Sequence, residues 1–385
     1  MRMQNYITIS PNPDIPQHDG LEWESLQYSN WLLSNRFGSR HRPYPTHLAK
    51  ALSIPMLQEV TAAWPDDTAL TASRPFRGMR HTVGGTADAY MVFLEHHWII
   101  ERWREALLWS WVVARGRDRV VGRGEDVDGW TREVAEMAWK ELGGSVGQTR
   151  LEVQREHRGT LDNADEWAGA KATNPVFSSL DGYPYSEDMG ERGWASEGFT
   201  CEIDFERCFG VQGSASRTFQ RVAFEEPTAC GDCIIRALVN KSGKRGLKAF
   251  LPSSSSANPT TATSTPIITL PISSRWQEAD FRLTNVLEST NLDNTNIREA
   301  VLHVLQRYRF VIGETPFMFA IVTDPHSAEQ NVQAIESDES LAIVCVNDNV
   351  AEGDDRVREV LGEWMSGRWN ESAGWERVGS ENGRG

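Results

Sequence analysis

The residues EWESLQYSNWLLSNRF, Glu22 to Phe37, followed by GSRHRPYPTH, Gly38 to His47, decide how the chain is read. Trp23, Leu26, Tyr28, Trp31, Leu32 and Leu33 recur at mixed three- and four-residue spacing, the pattern of a helix with an apolar face. Gly38 comes next, where a helix end needs a residue that can turn left-handed. Ser39 to His47 then reads as a basic loop broken by prolines.

Working outward, residues 1–20 are polar, hold three prolines and predict a loose lead-in. A helix is expected over about Pro55 to Trp64, with Pro at its start, and Asp66 to His81 leads into a second basic loop. Asp88 to Ala114 is a long aromatic-rich helical region, Arg117 to Gly129 a glycine-rich charged break, and Trp130 to Leu142 an amphipathic helix ended by Gly143 and Gly144. Residues 145–200 carry few periodic signals. Short elements are expected at Phe199 to Phe209 and Ile234 to Val239, and Pro252 to Ser274 is a Ser/Thr/Pro-rich linker or surface loop. Asn296 to Tyr308 and Arg356 to Ser366 predict helices, and Phe317 to Thr323 and Ser340 to Val346 predict buried strands. No internal repeat is found.

The bulk numbers narrow the function. The 385 residues suffice for two modest domains, and 39% apolar content with 15 Trp and 14 Phe supports a folded core. The net charge of −15 argues against general nucleic-acid binding, which needs cationic surface to displace phosphate counterions. Trp98 to Ala114 is the most apolar window, but Glu101, Arg102, Arg104 and Glu105 forbid an ordinary membrane span, and the first twenty residues have no signal core. Trp98, Trp103, Trp109 and Trp111 on one helix are expected to be core rather than a docking face. Of the five cysteines, Cys201, Cys208, Cys230 and Cys233 cluster and Cys345 stands apart. Buried or locally bridged structural cysteines are favoured over a zinc site of all four, because the Cys201 to Cys208 spacing is wide for a zinc knuckle. Sequons at Asn240 and Asn370 matter only in a lumenal protein.

Two basic clusters flank one short helix: Arg36, Arg40, His41, Arg42 and His47, then Arg74, Arg77, Arg80 and His81. Guanidinium groups bind phosphate oxygens bidentately, and a neutral imidazole can take a proton from an attacking hydroxyl. A solvated surface that offsets the acidic helices is the alternative, and on composition alone the commoner one. A third candidate is Val344 to Asn349, VCVNDN, an apolar strand ending in amides and a carboxylate, where α/β folds place ligand-binding side chains. Its alternative is a simple Asn/Asp turn.

SLQYSNWLLSNRFGSRHRPYPTH, Ser25 to His47, followed by TASRPFRG, Thr71 to Gly78, resembles the third signature block of the Stealth family of sugar-phosphate transferases. LAIVCVNDNVAEGDDRVREVLGEWM, Leu341 to Met365, resembles the fourth, and HHWIIERWREALLWSWVVARG, His96 to Gly116, looks like the fungal xylosylphosphotransferase branch, which is related to the animal N-acetylglucosamine-1-phosphotransferase. The resemblance spans about Glu22 to Trp375 with a weak middle. It implies an α/β class: an incomplete Stealth-type catalytic domain, mostly helical in this chain, with a few short strands and a helical EF-hand-like insertion. It divides the chain into a lead-in (1–20), a third-block segment with basic active-site loops (21–87), the insertion (88–145), an irregular Cys-containing segment (146–251), a linker (252–276) and a fourth-block segment (277–385).

By the same resemblance His47 and Arg77 are the catalytic positions, and Arg42, Arg74, Asn347 and Asp348 contribute to substrate and phosphate binding. The implied reaction is attack of an acceptor-sugar hydroxyl on the β-phosphorus of a nucleotide-sugar, with a mannose-containing or other glycan as acceptor, a divalent metal (Mg or Mn) on the diphosphate and the Golgi lumen as location. The sequence departs from the family in three ways. The opening strand-forming and acidic blocks are missing, no signal or anchor is present, and GRDRVVGRGEDVDG, Gly116 to Gly129, lacks the acidic pattern of a calcium loop, so no calcium is expected there. A truncated gene model would explain the first two together. The other readings are a non-catalytic remnant that binds without turnover, and a helical binding module docking through the Trp-rich helix.

Overall fold

In the computed structural model the helix over Glu22–Phe37 (α1) ends where Gly38 takes a φ of +87°. A Cβ at Gly38 would lie 2.3 Å from the Phe224 carbonyl oxygen, so glycine permits both the turn and the close approach of two backbones. The structure describes residues 3–9, 22–45, 52–74, 88–120, 128–154, 174–178, 200–210, 213–242, 249–253, 269–288, 297–314, 316–341, 343–348, 350 and 353–369. They divide into two compact units, one holding the described residues up to Glu314 and a smaller one holding those from 316 onward, with Asn174 grouped in the smaller.

In the larger unit, Met3–Ile9 (β1) pairs antiparallel with Arg42–Pro45 (β2). The expected lead-in therefore contains a strand, and so does the first basic loop. Helices Ile54–Ala63 (α2) and Pro65–Ser73 (α3) follow, each with Pro in its first turn. Helix Met91–Trp109 (α4), continued by a π-helical turn over Ser110–Ala114, lies at the centre. Helices α1, α2 and Ile297–Arg307 pack against α4. Residues 91–114 thus run through the middle of this unit. The loop read as a degenerate calcium site falls largely on residues 121–127, outside the described residues.

Burial of α4 has two consequences. Trp98, Trp103, Trp109 and Trp111 are each at most 2% exposed, which removes the reading in which this helix docks a partner. The buried indoles of three of them find acceptors: Trp98 Nε1 donates to Glu59, Trp109 Nε1 to the Phe281 carbonyl and Trp111 Nε1 to Glu141. The helix also carries charges into the core, and each must find an opposite partner there.

Strand Arg150–Gln154 pairs antiparallel with Thr200–Asp204, and Cys208 is disulfide-bonded to Cys230. Two of the four clustered sulfurs are therefore joined to each other and cannot act as zinc thiolates, which settles that group as bridged structural cysteines in part. Helix Arg132–Leu142 is capped by the Thr131 side chain and closed by Gly143 at φ +102°.

The smaller unit is a strand–helix–strand arrangement. Phe317–Val322 and Ile343–Asp348 pair in parallel, with helix Pro325–Ser337 between them in sequence. That helix packs on the first strand and on helix Asp354–Arg368 around a small core of Val322, Ala328, Val357 and Val360. The described residues of 277–314 group with the larger unit. The described fold is mostly helical with short strands, compatible with the α/β class. Among the described residues no helix is long and apolar enough to cross a membrane.

Candidate functional site

The two sequence-predicted catalytic residues, His47 and Arg77, lie outside the described residues, in segments 46–51 and 75–87. The structure shows how the borders of both segments are held. Before the first, Arg42–Pro45 is fixed to α4: the His97 ring Nε2 lies 3.0 Å from the Pro43 carbonyl and donates to it. Just after it, the Ser53 backbone N–H donates to Glu95 Oε1 of α4 at 2.9 Å. Two side chains within one turn of a single buried helix therefore fix both ends of the segment that carries His47.

The second segment is clasped in a similar way. Arg74, which closes α3, forms an ion pair with Asp88 at 2.8 Å, one residue on either side of segment 75–87. The Ala89 N–H donates to Thr71 Oγ1 at 2.9 Å, and the Tyr90 N–H donates to Ser29 Oγ of α1 at 2.8 Å. Tyr28 of α1 also donates to Asp67 of α3. The Arg74–Asp88 pair keeps about a fifth of each side chain in water.

Arg42, expected to bind phosphate, is engaged within the fold. Its guanidinium is buried and donates to Glu101 (Nε–Oε1, 3.0 Å), Asn30 (2.7 Å) and Ser34 (3.1 Å). Arg40 and Arg104 converge on the other oxygen of Glu101 at 3.4 and 2.9 Å. Arg40 also donates to Asp232 at 2.6 Å and Arg104 to the same carboxylate at 2.8 Å. Arg36 reaches Glu105 at 2.8 Å, and Arg102 pairs with Glu105 as well. The first basic cluster is therefore neither a solvated surface nor an open anion pocket at Arg36, Arg40 and Arg42. With Arg102 and Arg104, these three arginines supply the cations of a buried ion-pair network that seats the start of β2 on α4.

The electrostatics follow from that network. Burial alone would push the Glu101 carboxyl up, but Arg40, Arg42 and Arg104 outweigh it and hold it down at about 2. Burial lowers Arg42 to about 10 against the pull of Glu101, so it stays cationic at neutral pH. His97 is lowered to about 3, first by burial and then by Arg42, and is a neutral ring at physiological pH. A neutral ring carries its proton on the nitrogen that faces the Pro43 carbonyl.

Asn347 and Asp348 end the parallel strand of the smaller unit, paired with Ile321 and Val322. The Asn347 side chain is exposed. They stand in a different unit from Arg42 and Arg74. Among the described residues no group of three or more His, Cys, Asp or Glu is placed to hold a metal ion, so the described side chains do not provide a ligand set for the expected divalent ion. The residues that sequence reasoning missed are Glu95, His97, Glu101 and Asp232. The one signal for Glu95, His97 and Glu101 was the density of charge within an otherwise apolar helical stretch; Asp232 lies outside that stretch.

Comparison with known proteins bears on this arrangement directly. Residues 46–101, which include both clasped segments and the first half of α4, match the family described as Stealth protein CR3, conserved region 3. Nearly the whole chain, 98% of it, aligns at 31% identity with the 3-O-alpha-D-mannopyranosyl-alpha-D-mannopyranose xylosylphosphotransferase of Cryptococcus neoformans var. neoformans serotype D, in both strain B-3501A and strain JEC21 / ATCC MYA-565. The enzyme of the same name from Cryptococcus neoformans var. grubii is 32% identical over the same share. The chain spans 46% of the length of each of these relatives. No solved structure matches it. Residues 46–101 are thus similar to Stealth conserved region 3, and nearly all of the chain is similar to proteins named xylosylphosphotransferases.

Proposed function

We propose that this chain forms part of a transferase that moves a sugar-1-phosphate from a nucleotide-sugar to a hydroxyl of a mannose-containing acceptor. The observation that carries the proposal is the alignment of 98% of the chain with enzymes named as mannose-disaccharide xylosylphosphotransferases. The scaffold supports it: the matched region is the one in which α4 holds both borders of segment 46–51 and the Arg74–Asp88 pair clasps segment 75–87.

In the proposed reaction the acceptor hydroxyl attacks the β-phosphorus of the donor. Its proton passes to His47 acting as general base, the bond from the β-phosphorus to the bridging oxygen breaks, and the nucleoside monophosphate leaves with that oxygen. Arg77, with Arg74 beside its segment in sequence, offsets charge that builds on the phosphoryl oxygens. Arg42 serves as a positioning residue, since its donors are engaged within the fold. Asn347 and Asp348 are assigned to substrate binding. A location in the secretory pathway, in the Golgi, fits the Cys208–Cys230 disulfide, because such bonds persist in oxidising compartments.

The test is an assay of the protein at the length of its relatives, with a nucleoside-diphosphate xylose and a mannose disaccharide. The expected product is the disaccharide enlarged by xylose plus phosphate in the mass spectrum, with a phosphodiester signal by phosphorus NMR. Transfer of xylose without phosphate would overturn the proposal, as would donor binding with no turnover, which would make the protein a binding remnant.

A further inference from the structure

The bonded pair Cys208–Cys230 leaves a second pair of sulfurs beside it. Strand Thr200–Asp204 runs directly into helix Phe205–Phe209, and the π-helical turn Pro227–Asp232 runs directly into helix Cys233–Ser242. The strand packs against both the turn and the second helix, so the two chain segments share one seam. Cys208 and Cys230 cross that seam covalently. Cys201, seven residues before Cys208, and Cys233, three residues after Cys230, meet across the same seam with their thiols in hydrogen-bond contact. Cys233 is buried and also donates to the Thr228 carbonyl at 3.5 Å, whereas Cys201 is only partly buried.

We infer that Cys201 and Cys233 close a second disulfide across this seam, formed by exchange with a low-molecular-weight disulfide such as oxidised glutathione. The partly buried Cys201 thiolate attacks the reagent's S–S bond, forms a mixed disulfide and releases one thiol. The Cys233 sulfur, already in contact with Cys201, then displaces the second thiol and loses its proton to solvent. Two protein thiols are oxidised, one small disulfide is reduced to two thiols, and the electrons balance. Cys201 acts first for two reasons: it is the less buried of the two, and contact with Cys201 and burial both push the Cys233 thiol up, away from thiolate. The inference stands independently of the proposed transferase activity.

The test incubates the native chain with oxidised glutathione, blocks remaining thiols with iodoacetamide and digests with trypsin without reduction. Tryptic cleavage places Cys201 in residues 193–207, Cys208 in 208–217 and both Cys230 and Cys233 in 222–236. The expected result is one three-peptide assembly bearing neither glutathione nor carbamidomethyl. Cleavage before Asp232, which parts Cys230 from Cys233, must then leave the Cys201 fragment attached to the fragment that begins at Asp232. In Cys201→Ser the assembly should shrink to two peptides, with Cys233 carrying a modification. Recovery of residues 193–207 alone, capped by glutathione or carbamidomethyl, would overturn the inference, and so would attachment of Cys201 to Cys230.

Discussion

Arg42 of β2 and Glu101 of α4 face each other at 3.0 Å, Nε to Oε1, and both are buried. The pair sits five residues ahead of His47 and ties the strand leading to it onto the central helix. Removing one partner of such a pair costs more than the pair contributes, because a buried charge is left uncompensated. Glu101→Gln strips the shared counter-charge from Arg40, Arg42 and Arg104 and should lower stability by about 3–5 kcal/mol in urea titrations. Arg42→Lys should cost stability without raising KM for the donor. A raised donor KM with unchanged stability would return Arg42 to direct phosphate contact.

His97 and Glu101 set how stability depends on pH. Both have folded-state values below their unfolded ones, so the unfolded chain binds more protons and stability is lost as pH falls. For His97 the window runs from the ordinary 6.5 down to about 3, and for Glu101 from 4.5 down to about 2. Melting temperature should therefore begin to fall just below pH 6.5 and fall more steeply below pH 4.5. His97→Gln, which can still donate to the Pro43 carbonyl, should flatten the upper part of the curve. Superimposable profiles for wild type and variant would show that His97 is not the titrating group.

Gly38→Ala tests the turn that ends α1. The new Cβ would meet the Phe224 carbonyl oxygen at 2.3 Å on a backbone with φ of +87°. Left-handed backbone alone costs a non-glycine residue about 1 kcal/mol, and displacing a buried carbonyl adds to it. A loss of at least about 2 kcal/mol in equilibrium unfolding is expected. A loss below half of that would mean the two backbones are not in contact.

His47→Ala in the protein at its relatives' length should reduce transfer by at least about a hundredfold, the usual scale for a general base. Arg77→Ala should reduce kcat comparably, with the folded stability of both variants unchanged. Near-normal turnover in His47→Ala would remove that residue from the mechanism.

How much of this was legible depends on distance along the chain. Helix α1 and its glycine stop were readable because every residue involved is local, and the apolar runs expected at Phe317 to Thr323 and Ser340 to Val346 form strands at 317–322 and 343–348, though not the buried ones expected, since Ile321 and Val346 are exposed. The ion-pair network was not readable. Arg40 finds Asp232 192 residues away, and no local pattern records such a pairing, so buried arginines looked like a surface loop. Helices Pro65–Ser73 and Pro325–Ser337 were missed for another reason. They bury one and two residues respectively, too few for an apolar stripe, although Pro in the first turn and the Asp324–Ser327 capping box marked their starts. Strand β1 pairs with β2, so its formation depends on a partner more than thirty residues away.

The Arg74–Asp88 pair separates scaffold from chemistry. As a partly exposed ion pair it should contribute no more than about 1 kcal/mol, so Asp88→Ala should leave the melting temperature almost unchanged. If Arg74 also meets the donor phosphates, Arg74→Ala should raise donor KM by about tenfold, the scale of one charge-assisted hydrogen bond. The charge swap Arg74→Asp with Asp88→Arg restores attraction between the two ends of segment 75–87 but moves the cation. Stability and loop protection in hydrogen exchange should recover in the swap, while donor KM stays high. Recovery of KM together with stability would show that the pair only clasps the segment and that phosphate binding rests on other cations.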